Sequence, residues 1–229
     1  MGSLYIVSTP IGNMEDLTLR ALRILKEVEI IAAEDTRHTR QLLSHFEIHG
    51  KQLVSCHAFN EHGKVESLVD QVKNGSSIAL VSDAGTPSVA DPGFLLVRTA
   101  VEKGIEPVVI PGVSALTFAV TASALPVDKF AFRAFAPVKS GQKEKFLREM
   151  LSSGMTNFFF ESPYRITKTL EAIAALAPEC SVALIREATK FHEEIIRGTA
   201  AELAALKRDW KGEFVIGIYP GKKDKDQEN

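Results

Sequence analysis

Short apolar runs alternate with segments of helical periodicity in the first half of the chain. Such runs are typical of buried strands, and apolar residues that recur every three to four positions are typical of amphipathic helices. The runs that predict strands are residues 4–7, 29–33, 53–56, 78–81 and 107–110. Because strand and helix alternate regularly, the pattern predicts a parallel, doubly wound sheet.

The second half of the chain follows a different pattern. Residues 130–135 show the period of two that is typical of a half-buried strand, and residues 156–161 form a buried strand. Further segments predict helices at 163–176 and 200–206 and strands at 181–186, 194–198 and 213–219. Because two of these strands are adjacent and joined directly, the pattern predicts a mixed sheet.

The two patterns predict an α/β protein with two domains. The predicted N-terminal α/β domain spans residues 1–115, and the predicted C-terminal α/β domain spans residues 116–221. The break between the two patterns is placed near Leu125-Pro126. Residues 222–229 contain only charged and amide side chains and are predicted to form a disordered tail.

Composition narrows the class of protein. The 229 residues are 45% hydrophobic and carry a formal net charge of −2, so any nucleic-acid surface must be a local patch. Cys56 and Cys180 match no metal or redox spacing and are predicted to be free thiols. No apolar run reaches membrane-spanning length and no signal-peptide pattern is present, which predicts a cytoplasmic protein without a membrane partner.

The loop after the fourth predicted strand has the strongest signal for function. Residues 80–93 contain two glycines, two prolines and two aspartates, far more turn chemistry than a short connection requires. In open α/β sheets, ligands bind beyond the carboxyl ends of strands. Gly85 permits close approach of a ligand, and Asp83 supplies a carboxylate. The alternative is a rigid loop with Asp91 as a helix N-cap and Pro92 at the first helical position.

Charged residues also follow other predicted strands. They cluster at residues 34–40, 161–165 and 186–194. Asp35 is predicted to cap the next helix, and a capped helix N-terminus can also bind phosphate. The alternative for Arg37, for Arg40 and for the third cluster is simple solvation.

Metal and nucleotide motifs are absent from the sequence. His45 and His49 are four residues apart, and Asp83 and Asp91 offer oxygen ligands, but no third nitrogen or sulfur ligand has a recognisable spacing. We therefore predict no metal site. The glycine-rich motifs of standard dinucleotide and triphosphate sites are also missing.

The turn and charge motifs together identify a resemblance to a known family. These motifs are STPIGN at 8–13, AEDTRHT at 33–39, SDAGTP at 82–87, DPG at 91–93, PGVSA at 111–115, FESPYR at 160–165 and REATK at 186–190. With them, the chain closely resembles the ribosomal RNA small subunit methyltransferase I family of the tetrapyrrole-methylase superfamily. The similarity extends from Leu4 to about Tyr219.

This resemblance implies an activity, a cofactor and an assembly. It implies a homodimer that uses S-adenosylmethionine to methylate the ribose 2′-hydroxyl of a cytidine in small-subunit (16S) ribosomal RNA. The cofactor is expected in a cleft between the two domains. Carried over by position, its contacts are Pro10, Asp83, Gly85, Thr86, Ser114, Ala115, Phe160, Arg186 and Ala188.

The chemistry of the reaction suggests further roles. A ribose hydroxyl is a poor nucleophile, so a general base is expected, with Asp35 and Glu161 as the leading candidates and Asp91 as a third. Arg37, Arg40, Arg165 and Lys190 are suited to phosphate, and Tyr164 is suited to stacking on a base. Longer members of the family carry a C-terminal helical extension, so RNA is expected to be held here by the two domains and the dimer surface.

Two other functions are consistent with the same sequence features. One is a tetrapyrrole C-methyltransferase of the same superfamily, which residues 34–37 and the SDAGTP loop argue against. The other is a non-catalytic RNA- or nucleotide-binding module, which leaves the carboxylates at the strand ends without a task.

Overall fold

The computed structural model describes residues 2–57 and 61–221, and the chain divides into two compact units, Met1–Ser114 and Ala115–Asn229. Each unit has its own sheet and its own apolar clusters. The predicted tail at residues 222–229 lies outside the described residues. In the part of the chain that is described, no helix has the length and apolar character needed to cross a membrane.

The first unit contains a parallel sheet. Its strands are β1 (Leu4–Val7), β2 (Ile30–Ala33), β3 (Gln52–Ser55), β4 (Ile78–Val81) and β5 (Val108–Ile110). Its helices are α1 (Leu19–Glu27), α2 (Thr36–His45), α3 (Glu61–Lys73) and α4 (Phe94–Glu102), and a 3₁₀ turn covers Met14–Asp16. The strand order is β3-β2-β4-β1-β5, with parallel pairing throughout. The predicted parallel sheet is confirmed.

Both faces of this sheet are covered by helices. On one face, Leu80 of β4 clusters with residues of α3 and α4, such as Leu68 and Leu96. On the other face, Val81 of β4 clusters with residues of α1 and α2, such as Leu25 and Leu42. The neighbouring strands β1 and β4 therefore send their connections to opposite faces. Such a topological switch point is where open α/β sheets bind ligands.

The second unit contains a mixed sheet, as predicted. Its strands are β6 (Phe130–Phe135), β7 (Thr156–Glu161), β8 (Ser181–Arg186), β9 (Glu194–Thr199) and β10 (Phe214–Tyr219), and its helices are α5 (Ala115–Ala122), α6 (Ser140–Ser152), α7 (Ile166–Leu176) and α8 (Ala200–Ala204). The strand order is β6-β7-β10-β8-β9. Strands β6 and β7 are parallel, and the remaining pairs are antiparallel.

Alternation along β7 separates the two faces of the second sheet. Phe159 belongs to a cluster with residues of α6, α7 and α8, including Leu147 and Leu170. Phe158 belongs to the opposite cluster, which contains Ala119 of α5. Both phenylalanine side chains are fully buried. The two faces of β7 thus account for its continuous apolar sequence.

Two local expectations are corrected. Helix α5 lies before Leu125-Pro126 yet belongs to the second unit, since Ala119 packs in that unit's core and the Arg197 guanidinium donates hydrogen bonds to the Ala122 carbonyl. Helix α7 begins at Ile166 rather than at residue 163. The preceding residues form a turn in which the backbone N–H of Arg165 donates to the Ser162 carbonyl.

Candidate functional site

The loops after β1 and β4 are joined at the topological switch point of the first sheet. Thr9 and Gly85 exchange two backbone hydrogen bonds of 2.8 and 3.0 Å. The hydroxyls of Ser8 and Thr86 lie 2.9 Å apart, and the Thr9 hydroxyl donates to the Ser82 carbonyl. These contacts bring together two loops that are more than 70 residues apart in the sequence.

Gly85 occupies the centre of this junction. Its φ of +78° is in the left-handed region, where L side chains are strained. A Cβ atom at this position would lie 3.3 Å from Cγ2 of Ile11 and 4.0 Å from the Val113 carbonyl, which belongs to the loop after β5. The predicted contacts Pro10, Gly85 and Thr86 therefore share one junction, and Ser114 follows Val113 directly.

A group of carboxylates lies beside this junction. Asp83 accepts a 2.9 Å hydrogen bond from the backbone N–H of Asp35, and its own N–H donates to Glu34 at 3.4 Å. Burial raises the pKa of Glu34, and the Asp83 carboxylate adds to the rise. Burial, reinforced by Glu34, raises the pKa of Asp91 to about 6. We call Glu34, Asp83 and Asp91 the acidic group.

Asp91 is not the N-cap of α4. The N-cap is Gly93, while the Asp91 carboxylate hydrogen-bonds to the Ser82 side chain. The loop that presents it contains two non-glycine residues in the left-handed region, Ser88 with a φ of 72° and Ala90 with a φ of 66°. Left-handed geometry costs about 1–2 kcal/mol for such residues. The loop that places Asp91 beside Ser82 at the end of β4 is therefore strained.

Asp35 has the predicted N-cap role. Its carboxylate accepts from the backbone N–H of Arg37 at 2.8 Å, and the Arg37 guanidinium approaches the same carboxylate to 2.6 Å. These hydrogen bonds hold the pKa of Asp35 well below its usual range. The guanidinium of Arg37 is correspondingly engaged. A carboxylate with so low a pKa is a weak proton acceptor.

Glu161, at the end of β7, lies inside a buried network. Its side chain has 0% exposure, and it pairs with Lys143 at 3.2 Å and Arg165 at 2.6 Å. The Thr169 hydroxyl and the backbone N–H of Ser162 also donate to it, at 2.7 and 2.8 Å. Both carboxylate oxygens are therefore engaged. Glu161 therefore holds its neighbours together, and its carboxylate has no exposed surface through which a base could reach substrate.

Arg165 and Tyr164, predicted together as RNA contacts, differ in their surroundings. The Arg165 guanidinium pairs with Glu161 and donates to the Ser162 hydroxyl and the Ala136 carbonyl. Arg165 thereby holds the loop after β7 to the loop after β6, instead of extending into solvent. Tyr164 is 95% exposed.

The hairpin between β8 and β9 is held by ion pairs. Lys190 contacts the carboxylates of Glu187 at 3.0 Å and Glu213 at 2.8 Å. Burial acts to lower the pKa of Lys190, but these carboxylates raise it overall. The Arg186 guanidinium donates to the Lys211 and His192 carbonyls and pairs with Glu194 at 3.5 Å. Both cations, predicted as ligand contacts, are thus engaged by the hairpin and by the segment that precedes β10.

The remaining predicted contacts of the second unit share one apolar surface. Ala115, Phe160 and Ala188 all pack, partly buried, against the cluster that contains Phe158. Next to Ala188, the Thr189 hydroxyl is buried without a hydrogen-bond partner among the described residues, and the φ of Thr189 is 67°. Ala115, Phe160 and Ala188 therefore belong to one apolar cluster of the second unit.

The acidic group of the first unit therefore fits the positive charge of the predicted cofactor. S-adenosylmethionine carries a sulfonium and an ammonium, and no described lysine or arginine is paired with the acidic group. Sequence reasoning omitted Glu34, Ser8 and Thr9 from the site, although each is part of a motif that carries the resemblance. Among the described residues, no group of three or more His, Cys, Asp or Glu side chains is placed to hold a metal ion.

Comparison with known proteins first identifies the class. The sequence model of the family described as Tetrapyrrole (Corrin/Porphyrin) Methylases matches residues 3–204. A crystal structure of diphthine synthase is similar with a TM-score of 0.73 and 16% identity, over 97% of this chain and 92% of that one. A uroporphyrin-III-C-methyltransferase from Thermus thermophilus has a TM-score of 0.63 and 21% identity, over 96% and 95%.

Closer relatives narrow the class to one family. Proteins named Ribosomal RNA small subunit methyltransferase I are 45% identical in Halalkalibacterium halodurans, over 94% of this chain and 75% of the relative, and 45% identical in Hydrogenobaculum sp., over 93% and 94%. The one from Xylella fastidiosa is 44% identical over 98% and 84%. The chain belongs to the tetrapyrrole methylases and, within them, to the ribosomal RNA small subunit methyltransferase I family.

Proposed function

We propose that this protein transfers a methyl group from S-adenosylmethionine to the 2′-hydroxyl of a cytidine ribose in small-subunit ribosomal RNA. Support for rRNA as the substrate comes from the names of relatives that are 42–45% identical over most of the chain. Support for the cofactor comes from the acidic group at the topological switch point, because these carboxylates form no ion pair with a described lysine or arginine and a cluster of negative charge favours a cationic ligand.

The proposed cofactor contacts are those that the resemblance implies. In the first unit they are Pro10, Asp83, Gly85, Thr86 and Ser114, and in the second unit they are Ala115, Phe160, Arg186 and Ala188. When bound, the cofactor supplies a methyl group that is activated by its positive sulfur. The loops contribute by orienting the reactants, since methyl transfer requires in-line geometry and little other chemistry.

Three carboxylates are candidates for accepting the proton of the ribose hydroxyl. Asp35 is paired with Arg37 and Glu161 is enclosed by Lys143 and Arg165, so each has a structural contact that opposes this role. Asp91 has a pKa raised to about 6 by burial and by Glu34. A group that titrates near the working pH is the most effective base, and we therefore assign the role to Asp91.

The sequence assigned five side chains to RNA binding. Three of them are held by carboxylates, and two are exposed. Arg165 and Lys190 are held by carboxylates within the second unit, and Arg37 is held by Asp35. Arg40 and Tyr164 are exposed, and neither side chain is held by a carboxylate among the described residues. We therefore retain these two as the proposed RNA contacts. The implied homodimer stays a prediction, which sedimentation equilibrium of the purified chain tests.

Methyl transfer to unmodified small ribosomal subunits tests the proposal. The purified protein, incubated with radiolabelled S-adenosylmethionine, should label the small-subunit RNA, and nucleoside mass spectrometry should find cytidine with a methylated ribose. Methylation on the base would retain the substrate but overturn the 2′-hydroxyl assignment. Methylation of a tetrapyrrole in place of RNA would overturn the proposed function.

A further inference from the structure

Helix α2 presents a basic outward face. Its inward residues Thr39, Leu42 and Leu43 are buried. Its outward residues line a shallow depression of about 520 Å³. The lining residues, which we call the α2 face, are Arg37, Arg40, Gln41, Ser44 and His45.

The charge on the α2 face is not neutralised within the helix. No Asp or Glu occurs in α2, and Arg40 makes no hydrogen bond or ion pair to any residue that the structure describes. Asp35, before the helix, is occupied by Arg37. Glu47 lies beyond the helix end.

Helix α6 provides a built-in comparison. Its outward residues also line a shallow depression, of about 480 Å³. There, however, Arg148 pairs with Glu144 at 2.7 Å and Lys145 approaches Glu149 at 4.0 Å. Two helix faces that line depressions of similar volume therefore differ in net charge, because the cations of the α6 face are balanced by its own carboxylates and those of the α2 face are not.

The position of α2 connects this charge to the candidate site. The backbone N–H of Asp35, the N-cap of α2, donates to Asp83 of the acidic group. Because an α-helix rises about 1.5 Å per residue, Arg40 lies about 6 Å and His45 about 14 Å along the axis from Thr36. The α2 face thus leads away from the site in one direction.

We propose that the α2 face, from Arg40 to His45, binds the phosphodiester backbone of the RNA that flanks the methylated nucleotide. This inference rests on the proposed function. A guanidinium pairs strongly with phosphate, and Ser, Gln and His side chains donate further hydrogen bonds to phosphate oxygens. Contacts of this kind set the register of an RNA without reading its sequence.

Charge-changing variants on the two helices test the inference. We expect Arg40→Ala to weaken binding of unmodified small-subunit ribosomal RNA about three- to tenfold at moderate salt, and to flatten the plot of log K against log salt by about 0.7–1. Gln41→Lys adds a cation to the α2 face and should tighten binding several-fold. The matched controls on α6 are Arg148→Ala and Gln142→Lys, and neither should change RNA affinity.

The readouts separate this inference from the proposed function. Arg40→Ala should raise the KM for RNA with little change in kcat, and should leave the affinity for S-adenosylmethionine unchanged. Equal effects of the α2 and α6 variants, in a wild type that methylates RNA, would overturn the inference alone. An effect seen with assembled subunits but not with naked RNA would identify a protein as the partner and would also overturn it. Failure of the wild type to methylate RNA would overturn the proposed function instead.

Discussion

The carboxylates at the strand ends of the two units have opposite surroundings. In the second unit, Glu161 is enclosed by Lys143 and Arg165, and Glu187 contacts Lys190. In the first unit, the carboxylates of the acidic group of Glu34, Asp83 and Asp91 accept hydrogen bonds from backbone N–H groups and from a hydroxyl, and their negative charges repel one another. The sequence shows charged clusters after strands in both units. The clusters differ in whether a lysine or arginine is paired with their carboxylates.

This difference separates scaffold from candidate site. A buried carboxylate that is paired with a cation stays ionised and holds loops together, at the expense of its availability to other groups. An ionised carboxylate among other carboxylates is destabilised by charge repulsion. Binding of a cationic ligand or of a proton reduces that repulsion. We therefore place the proposed chemistry in the first unit, while the ion pairs of the second unit stabilise the loops that carry Tyr164 and Ala188.

The largest expected effect comes from breaking the Glu161 network. Glu161→Ala leaves Lys143, whose side chain is 10% exposed, and Arg165 without their partner, so we expect a loss of about 3–5 kcal/mol of unfolding free energy in urea. Glu144→Ala removes the exposed pair with Arg148 and should cost at most about 1 kcal/mol. If Glu161→Gln is as stable as the wild type but has lost turnover, Glu161 is the base.

Removal of the proposed base should have the next largest effect. Asp91→Asn keeps the size of the side chain and should lower kcat at least about a hundredfold, equivalent to about 2.7 kcal/mol of barrier. The affinity for RNA should be unchanged, since Asp91 is not on the α2 face. Asp35→Asn is the matched comparison. If Asp35→Asn loses more turnover than Asp91→Asn, the assignment is reversed.

Substitutions at two glycines, Gly212 before β10 and Gly85 after β4, distinguish a position filled by packing from a position at the proposed ligand site. At Gly212, with a φ of 92°, a Cβ would lie 2.5 Å from Cγ and Cδ of Glu187, so Gly212→Ala should lose about 2 kcal/mol of stability. At Gly85, where the nearest atom is 3.3 Å away, Gly85→Ala should cost only the backbone strain of about 1 kcal/mol. Gly85→Val should abolish binding of S-adenosylmethionine in calorimetry. Undiminished cofactor affinity in the folded Val variant would remove Gly85 from the proposed contacts.

The last expected effect is a pH dependence of stability. The pKa of Asp91 is raised from 3.8 to about 6 by burial, so the folded state binds its proton more tightly than the unfolded state does. Its contribution to stability is therefore present below about pH 4 and is lost as the pH rises through about 6. Asp91→Asn should be more stable than the wild type at pH 7 and closer to it at pH 4. An identical pH profile for the two proteins would show that folding does not raise the pKa of Asp91.

The secondary structure was largely predictable because its signals are local. Strands such as Leu4–Val7 and Ile78–Val81 are short apolar runs between turn residues, and the predicted and observed bounds agree to within one residue for each strand. The N-cap at Asp35 was also predicted, since capping involves residues two to three positions apart. The sequence was less informative where a more distant contact decides: the alternative role of Asp91 as N-cap of α4 fails because Asp91 bonds to Ser82, and α7 begins at Ile166, after a turn, instead of at residue 163.

The composition of the candidate site was predictable only in part. The glycine and aspartate loop after β4 was recognisable from residues 80–93 alone. The roles of Glu161, Arg165 and Lys190 were not, because an exposed cation and a cation paired with a buried carboxylate have the same sequence signature. Lys143, which the sequence places in a polar stretch before Phe146, is in fact nearly buried against Glu161.

By itself, the sequence determined the order of strands and helices, the parallel and mixed character of the two sheets, and the family, since periodicity and motifs are properties of neighbouring residues. Only the tertiary structure decided which charges are neutralised. Strand order brings Asp83 beside Glu34 and Asp35 across 48 residues, and it brings Lys143 and Thr169 to Glu161 from two different helices. Electrostatic energy depends on distances of a few ångströms between such side chains, and those distances are set by packing, not by separation along the chain.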